Sequence, residues 1–143
     1  MLQMKVPPML LLVLCYILVY FTSRRIYFSL TALFLISFGS ILMLTATFQF
    51  KQSKTSLNPI NTQRVSNIIQ TGAFKLSRNP IYLGAFVFLL SSAFVFRTVF
   101  GFIISVFFSL FLNQFQIKPE ETFLKGKFGQ EYEEYCQRVR RWI

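Results

Sequence analysis

The chain has 143 residues, 54% of them hydrophobic and 19 of them Phe, with a net charge of +10 and neither His nor Asp. A soluble domain of this length has too little interior to hide so much apolar surface, so lipid is the solvent the composition calls for, around a single domain over residues 1–143. With no His, and with Cys15 and Cys136 in no metal-ligand spacing, no zinc or haem site is expected, while basic residues at the ends of apolar runs fit lipid headgroups rather than a nucleic-acid stripe.

Four apolar stretches succeed one another, at 6–22, 26–50, 81–96 and 99–115. A crossing needs about 20 residues for a hydrocarbon core of roughly 30 Å. The fold expected is therefore all-α: a polytopic membrane helical bundle of about four spans. The first run lacks a small-residue cleavage site and is followed by Arg24-Arg25, so it reads as a span rather than a signal peptide. Residues 1–50 hold the two N-terminal spans and 51–80 a polar connector, in which Val65, Ile68 and Ile69 predict a short interfacial helix. Only Arg97-Thr98 separates the third and fourth runs, so 81–115 predicts a tight helical hairpin with Arg97 snorkelling to headgroups.

Residues 116–143 form the last segment. Pro119 suits the first turn of a new helix, with Glu120 and Glu121 near its positive end. Gly126 and Gly129 are expected to interrupt it, after which Phe128, Tyr132, Tyr135 and Val139 recur on one face of an amphipathic helix. Twelve Lys and Arg lie at the N-terminus, the connector and the tail, against Arg24, Arg25 and Arg97 on the other side. The positive-inside rule then predicts cytoplasmic N- and C-termini in a multi-pass protein.

Two constellations could carry chemistry. Thr71 to Gly84 includes Arg78-Asn79-Pro80-Ile81-Tyr82 at the entrance of the third run, and Gln116 to Glu121 stands at the exit of the fourth. Taken alone, Arg78 reads as a headgroup anchor, Asn79 as a helix cap before Pro80, and Tyr82 as part of an interfacial belt. Glu120-Glu121 alone reads as a complement to a helix dipole. A hairpin changes that, because it sets its two open ends side by side, with Arg78, Asn79 and Tyr82 facing the chain's first carboxylates across one pocket.

With these residues in order, the sequence resembles the isoprenylcysteine carboxyl methyltransferase family of integral membrane enzymes. That family carries a Gly, then Arg-His-Pro-x-Tyr before one helix of a hairpin, Glu-Glu after the other, and a Phe-Gly-x-x-Tyr-x-x-Tyr segment. Gly72, Arg78 to Tyr82, Glu120-Glu121 and Phe128 to Tyr135 stand in the matching places, so the resemblance covers roughly residues 65–143. It implies an S-adenosylmethionine-dependent methyltransferase whose cytoplasmic pocket is closed by the C-terminal segment. Asn79, Pro80, Tyr82, Glu120 and Glu121 would bind the cofactor, Arg78 and Glu121 would be catalytic, no metal would be held, and a lipophilic or lipid-modified substrate would enter from the bilayer.

Asn79 stands where the family has His, so a hydrogen bond survives there but not a titrating role; Gln116 stands near the place of an Arg that the family often carries. Methyl transfer from a sulfonium is an in-line displacement that rests on positioning and desolvation. A carboxylate acceptor is already ionised at neutral pH, so the absence of His favours O-methylation. A phospholipid amine would need a base, a task open to Glu121. A sterol-type NADPH reductase and a non-enzymatic membrane scaffold are the other readings weighed.

Overall fold

The computed structural model describes residues 7–23, 25–53 and 67–143. Among them the chain is helical, with no strand. Two apolar helices come first, α1 (Pro8–Ser23) and α2 (Leu30–Gln52), and then a 3-10 turn at Gly72–Lys75. α3 (Pro80–Val95) and α4 (Val99–Leu112) follow, and a π-turn at Asn113–Ile117 leads into α5 (Lys118–Phe128) and α6 (Gln130–Arg138). Helix α2 and the unbroken Val99–Phe128 helix are each long and apolar enough to cross a membrane; α1 and α3 are shorter apolar helices.

Helix α3 is the centre of the bundle. It packs on α1, α2 and α4, and eight of its residues are buried. Small residues make these contacts possible, as befits helices that associate in lipid by close backbone approach. A Cβ built on Gly39 of α2 would stand 2.7 Å from the carbonyl oxygen of Gly84 of α3, and one on Gly101 of α4 would stand 2.5 Å from the Ala93 Cα. Leu12, Ala85, Leu89, Phe108 and Leu112 form one apolar cluster between α1, α3 and α4. Leu42, Ala46, Ala73, Phe74 and Leu83 form a second, against which Trp142 packs. The outward faces keep Phe21, Phe34, Leu44 and Phe107 exposed, which suits a lipid surround.

The hairpin forms as expected. Helix α3 ends at a Schellman motif in which Thr98 N–H donates to the Ala93 carbonyl and Arg97 takes a φ of 48°. Thr98 caps α4 by accepting from the Phe100 N–H.

Several local expectations need correcting. Val65 lies outside the described residues, and Ile68 and Ile69 are not helical; the helical turn of the connector falls later, at Gly72–Lys75, where Phe74 is buried. Pro119 falls in the first turn of α5, as expected, but α5 continues directly from α4 through the π-turn, within one Val99–Phe128 helix. Gly126 sits inside α5 without breaking it; only Gly129, at φ 53°, divides α5 from α6. Position explains the difference, since a mid-helix glycine lowers helix propensity by only about 1 kcal/mol whereas a left-handed residue ends the helix.

Candidate active site

The π-turn decides where the two carboxylates point. One extra residue in a helical turn rotates everything after it by about 100°. Gln116 and Ile117 are thereby buried, and Glu120 and Glu121 are carried over the open end of α3. Adjacent residues on a helix diverge by the same angle, so the two carboxylates take different partners.

Glu120 faces α3. Tyr82 Oη donates to its Oε1 at 2.9 Å, and the Gln116 side-chain amide, one turn back, donates to the same oxygen. Burial pushes the Glu120 carboxyl above its usual range, and the Gln116 and Tyr82 hydrogen bonds work against that rise.

Glu121 faces two guanidiniums. Arg78 Nη2 stands 2.9 Å from its Oε1, with the Arg78 and Glu121 side chains only 12% and 14% exposed. Arg141 binds Oε2 through Nη2 at 2.6 Å and Nε at 3.0 Å, and also donates from Nη1 to the Asn113 side-chain oxygen at 3.3 Å. Arg78 Nη1 donates to the Cys136 carbonyl at 3.4 Å. The pairing is not saturated: Arg78 Nε and Glu121 Oε1 are buried with no hydrogen-bond partner, so the 2.9 Å contact is one of charge rather than of aligned donor and acceptor.

The tail ties the cluster together. Beyond α6 the chain doubles back along residues 77–79, where Arg78 N–H donates to the Arg140 carbonyl at 3.0 Å. The Ser77 hydroxyl and the Asn79 amide both donate to the Arg141 carbonyl, at 3.1 and 3.2 Å. Asn79 thus occupies the N-cap position of α3 without capping it through its side chain, because that side chain is committed to the tail. Pro80 takes the first turn of α3. Tyr135 Oη donates to the Phe74 carbonyl at 2.7 Å, and Arg138 to the Gln70 side chain at 2.8 Å.

The structure therefore brings Arg78, Asn79, Pro80, Tyr82, Glu120 and Glu121 to one end of the bundle. It adds Arg141 and Asn113, which the motifs did not mark. The Arg140-Arg141-Trp142 run did hold a signal, because the chain's one Trp is a poor residue to leave in solvent.

A groove of about 350 Å³ lies at the other end, around the hairpin turn at Arg97-Thr98, apart from the polar cluster. For chemistry the cluster carries the greater weight, because it holds the buried charges.

The chain has recognisable relatives among known proteins. The sequence profile of the phospholipid methyltransferase family matches residues 27–131. A probable protein-S-isoprenylcysteine O-methyltransferase of Oryza sativa subsp. indica is 29% identical over 114 residues, 78% of this chain and 58% of that protein, and its japonica counterpart matches equally. A Haemophilus influenzae protein described only as uncharacterized is 58% identical over 38 residues, 27% of this chain and 60% of that protein. The matches thus span about 60% of the length of these relatives. No solved structure matches the chain. With its two long apolar helices the chain is a membrane protein, and it belongs to the phospholipid methyltransferase family, within the group of membrane methyltransferases that also holds the isoprenylcysteine enzymes.

Proposed function

We propose that the chain transfers a methyl group from S-adenosylmethionine to a lipophilic acceptor, with a carboxylate as the methylated group. The observation that carries this reading is the largely buried Arg78–Glu121 pair, flanked by the part-exposed Arg141 and set beside the Tyr82–Glu120 contact. Desolvated, charge-paired side chains of this kind concentrate at functional sites.

The residues fit the cofactor. Its ammonium and ribose hydroxyls need acceptors and its carboxylate needs donors, and the cluster has an unmatched acceptor at Glu121 Oε1 and an unmatched donor at Arg78 Nε. Asn79, Pro80, Tyr82, Glu120 and Glu121 would hold it there. When bound, it supplies an electrophilic methyl group on a sulfonium. The chain's own residues orient the partners and exclude water. Tyr82 fixes Glu120, the tail fixes Asn79, and Arg141 fixes Glu121.

An acceptor carboxylate needs no base at neutral pH, and Arg78 and Arg141 are cations suited to orienting it. The rice relatives are named for such an O-methylation. A second reading, N-methylation of a phospholipid amine, is favoured by the description of the matching family. It requires proton removal, for which Glu121 would be the base.

In the membrane this reading has four crossings and both termini in the cytoplasm, in line with the twelve basic residues on that side. A reporter fused after Ile143 should read as cytoplasmic; a reporter on the far side would overturn the topology. For the activity, calorimetry on the full chain in detergent should show saturable binding of S-adenosylmethionine, and its absence would overturn the methyltransferase reading. Labelled methyl transfer to a prenylated cysteine or to phosphatidylethanolamine then separates the acceptors, since only the first product holds the label as a methyl ester that base releases as methanol.

A further inference from the structure

The groove at the hairpin turn is separated from the polar cluster by the length of α3, whose 16 residues rise about 24 Å. Its lining divides by chemistry. Phe28, Phe94 and Phe102 supply an aromatic wall, and Ser29, Arg97 and Thr98 supply polar groups at the turn. Arg97 is the only non-glycine residue with a positive φ among the described residues, in a position where helix ends favour glycine. The Arg97 guanidinium lies 4.4 Å from the centre of the Tyr27 ring, and Tyr27 N–H is itself held by the Val95 carbonyl at 2.8 Å. A cation is thus kept at the rim of an apolar groove by a strained backbone and a stacked ring, rather than by an acidic partner.

We propose that this groove binds a glycerophospholipid from the leaflet opposite the Arg78–Glu121 end, with the phosphate on Arg97 and an acyl chain along Phe94 and Phe102. The argument is one of complementarity in place. The groove opens on a surface where Phe28, Val99 and Phe102 are exposed, so its apolar part faces acyl chains, and Arg97 is the formal charge in its lining. A phospholipid matches both halves, with an anion above two hydrocarbon chains. Because α3 intervenes, this lipid does not meet the residues proposed to hold the cofactor.

The test uses full-length protein in detergent micelles with about one equivalent of phosphatidylglycerol carrying a photoactivatable acyl chain. Adducts should map to peptides containing Phe94 or Phe102. Arg97→Gly removes the cation and suits the left-handed backbone, so the variant should fold; it should lose these adducts at least tenfold while labelling elsewhere is unchanged. Diacylglycerol with the same photoactivatable chain should label the groove no better than phosphatidylglycerol labels the variant. Equal labelling of wild type and Arg97→Gly, or of diacylglycerol and phosphatidylglycerol, would overturn the proposal, as would competition by soluble glycerophosphate at the same concentration as the probe.

Discussion

Arg78 and Glu121 meet across the open end of the α3–α4 hairpin, 2.9 Å apart and largely buried, with Arg141 completing the charge on the far side of the carboxylate. Removing one member of a buried pair strands the other, at a cost of about 3 kcal/mol. Glu121→Gln should therefore lower the unfolding midpoint in detergent and abolish cofactor binding by calorimetry. The double variant Arg78→Met with Glu121→Leu replaces the pair by apolar side chains of similar bulk. It should recover most of the lost stability, since Arg141 can turn to solvent, and still bind no cofactor. Recovery of both properties would show the pair to be structural only.

Tyr82 and Glu120 make the second buried contact, and here the pH dependence has a definite sign. Burial raises the Glu120 carboxyl above its unfolded value, so the folded state prefers the protonated acid. The stability this contributes is fully present below the unfolded value, near 4.3, and is lost as pH rises through the elevated folded value. Glu120→Gln keeps the shape without the charge. Its melting temperature relative to wild type should rise across that window and level off above it; a constant difference between the two from pH 4 to 7 would contradict the assignment. Tyr82→Phe leaves the carboxylate with one donor fewer and should destabilise by about 1–3 kcal/mol near neutral pH, read as a shift in denaturant midpoint.

Much of this site was legible because its motifs bracket a hairpin. Arg97-Thr98 between two apolar runs implies that Arg78–Tyr82 and Glu120-Glu121 end side by side, and they do. The π-turn that aims the carboxylates was not legible, since Asn113–Ile117 has the composition of any helix leaving a membrane. Nor was the destination of Asn79. Its type and place before Pro80 are those of a cap, and only a tail that folds back puts the Arg141 carbonyl within reach. Arg141 itself reads locally as a solvated terminal cation, and its role depends on contacts with Glu121 and Asn113 that no short-range pattern encodes.

Arg141 offers a sharper test than deletion of the tail. Its planar fork reaches Glu121 through two nitrogens and Asn113 through a third, a geometry that a lysine ammonium cannot reproduce. Arg141→Lys should keep the charge and the fold but weaken cofactor binding roughly tenfold, the equivalent of about 1.4 kcal/mol. Arg141→Ala should weaken it further and also shift the melting temperature. If the lysine variant binds as tightly as wild type, Glu121 does not depend on the fork for its orientation.

Glycine substitutions should split by position. Gly39 and Gly84 lie where α2 crosses α3, and a Cβ on Gly84 would stand 2.6 Å from Met43 Cγ and 2.7 Å from the Gly39 carbonyl oxygen. The methionine can move but the backbone cannot, so Gly39→Ala and Gly84→Ala should each push the helices apart and cost about 1–3 kcal/mol. Gly126 has nothing within 4 Å of its would-be Cβ and sits inside α5. There alanine only removes backbone freedom from the unfolded chain, so Gly126→Ala should stabilise by about 0.5–1 kcal/mol. Thermal unfolding of the three variants in one detergent reads both signs, and a stabilising Gly84→Ala would show that α2 and α3 do not cross this closely.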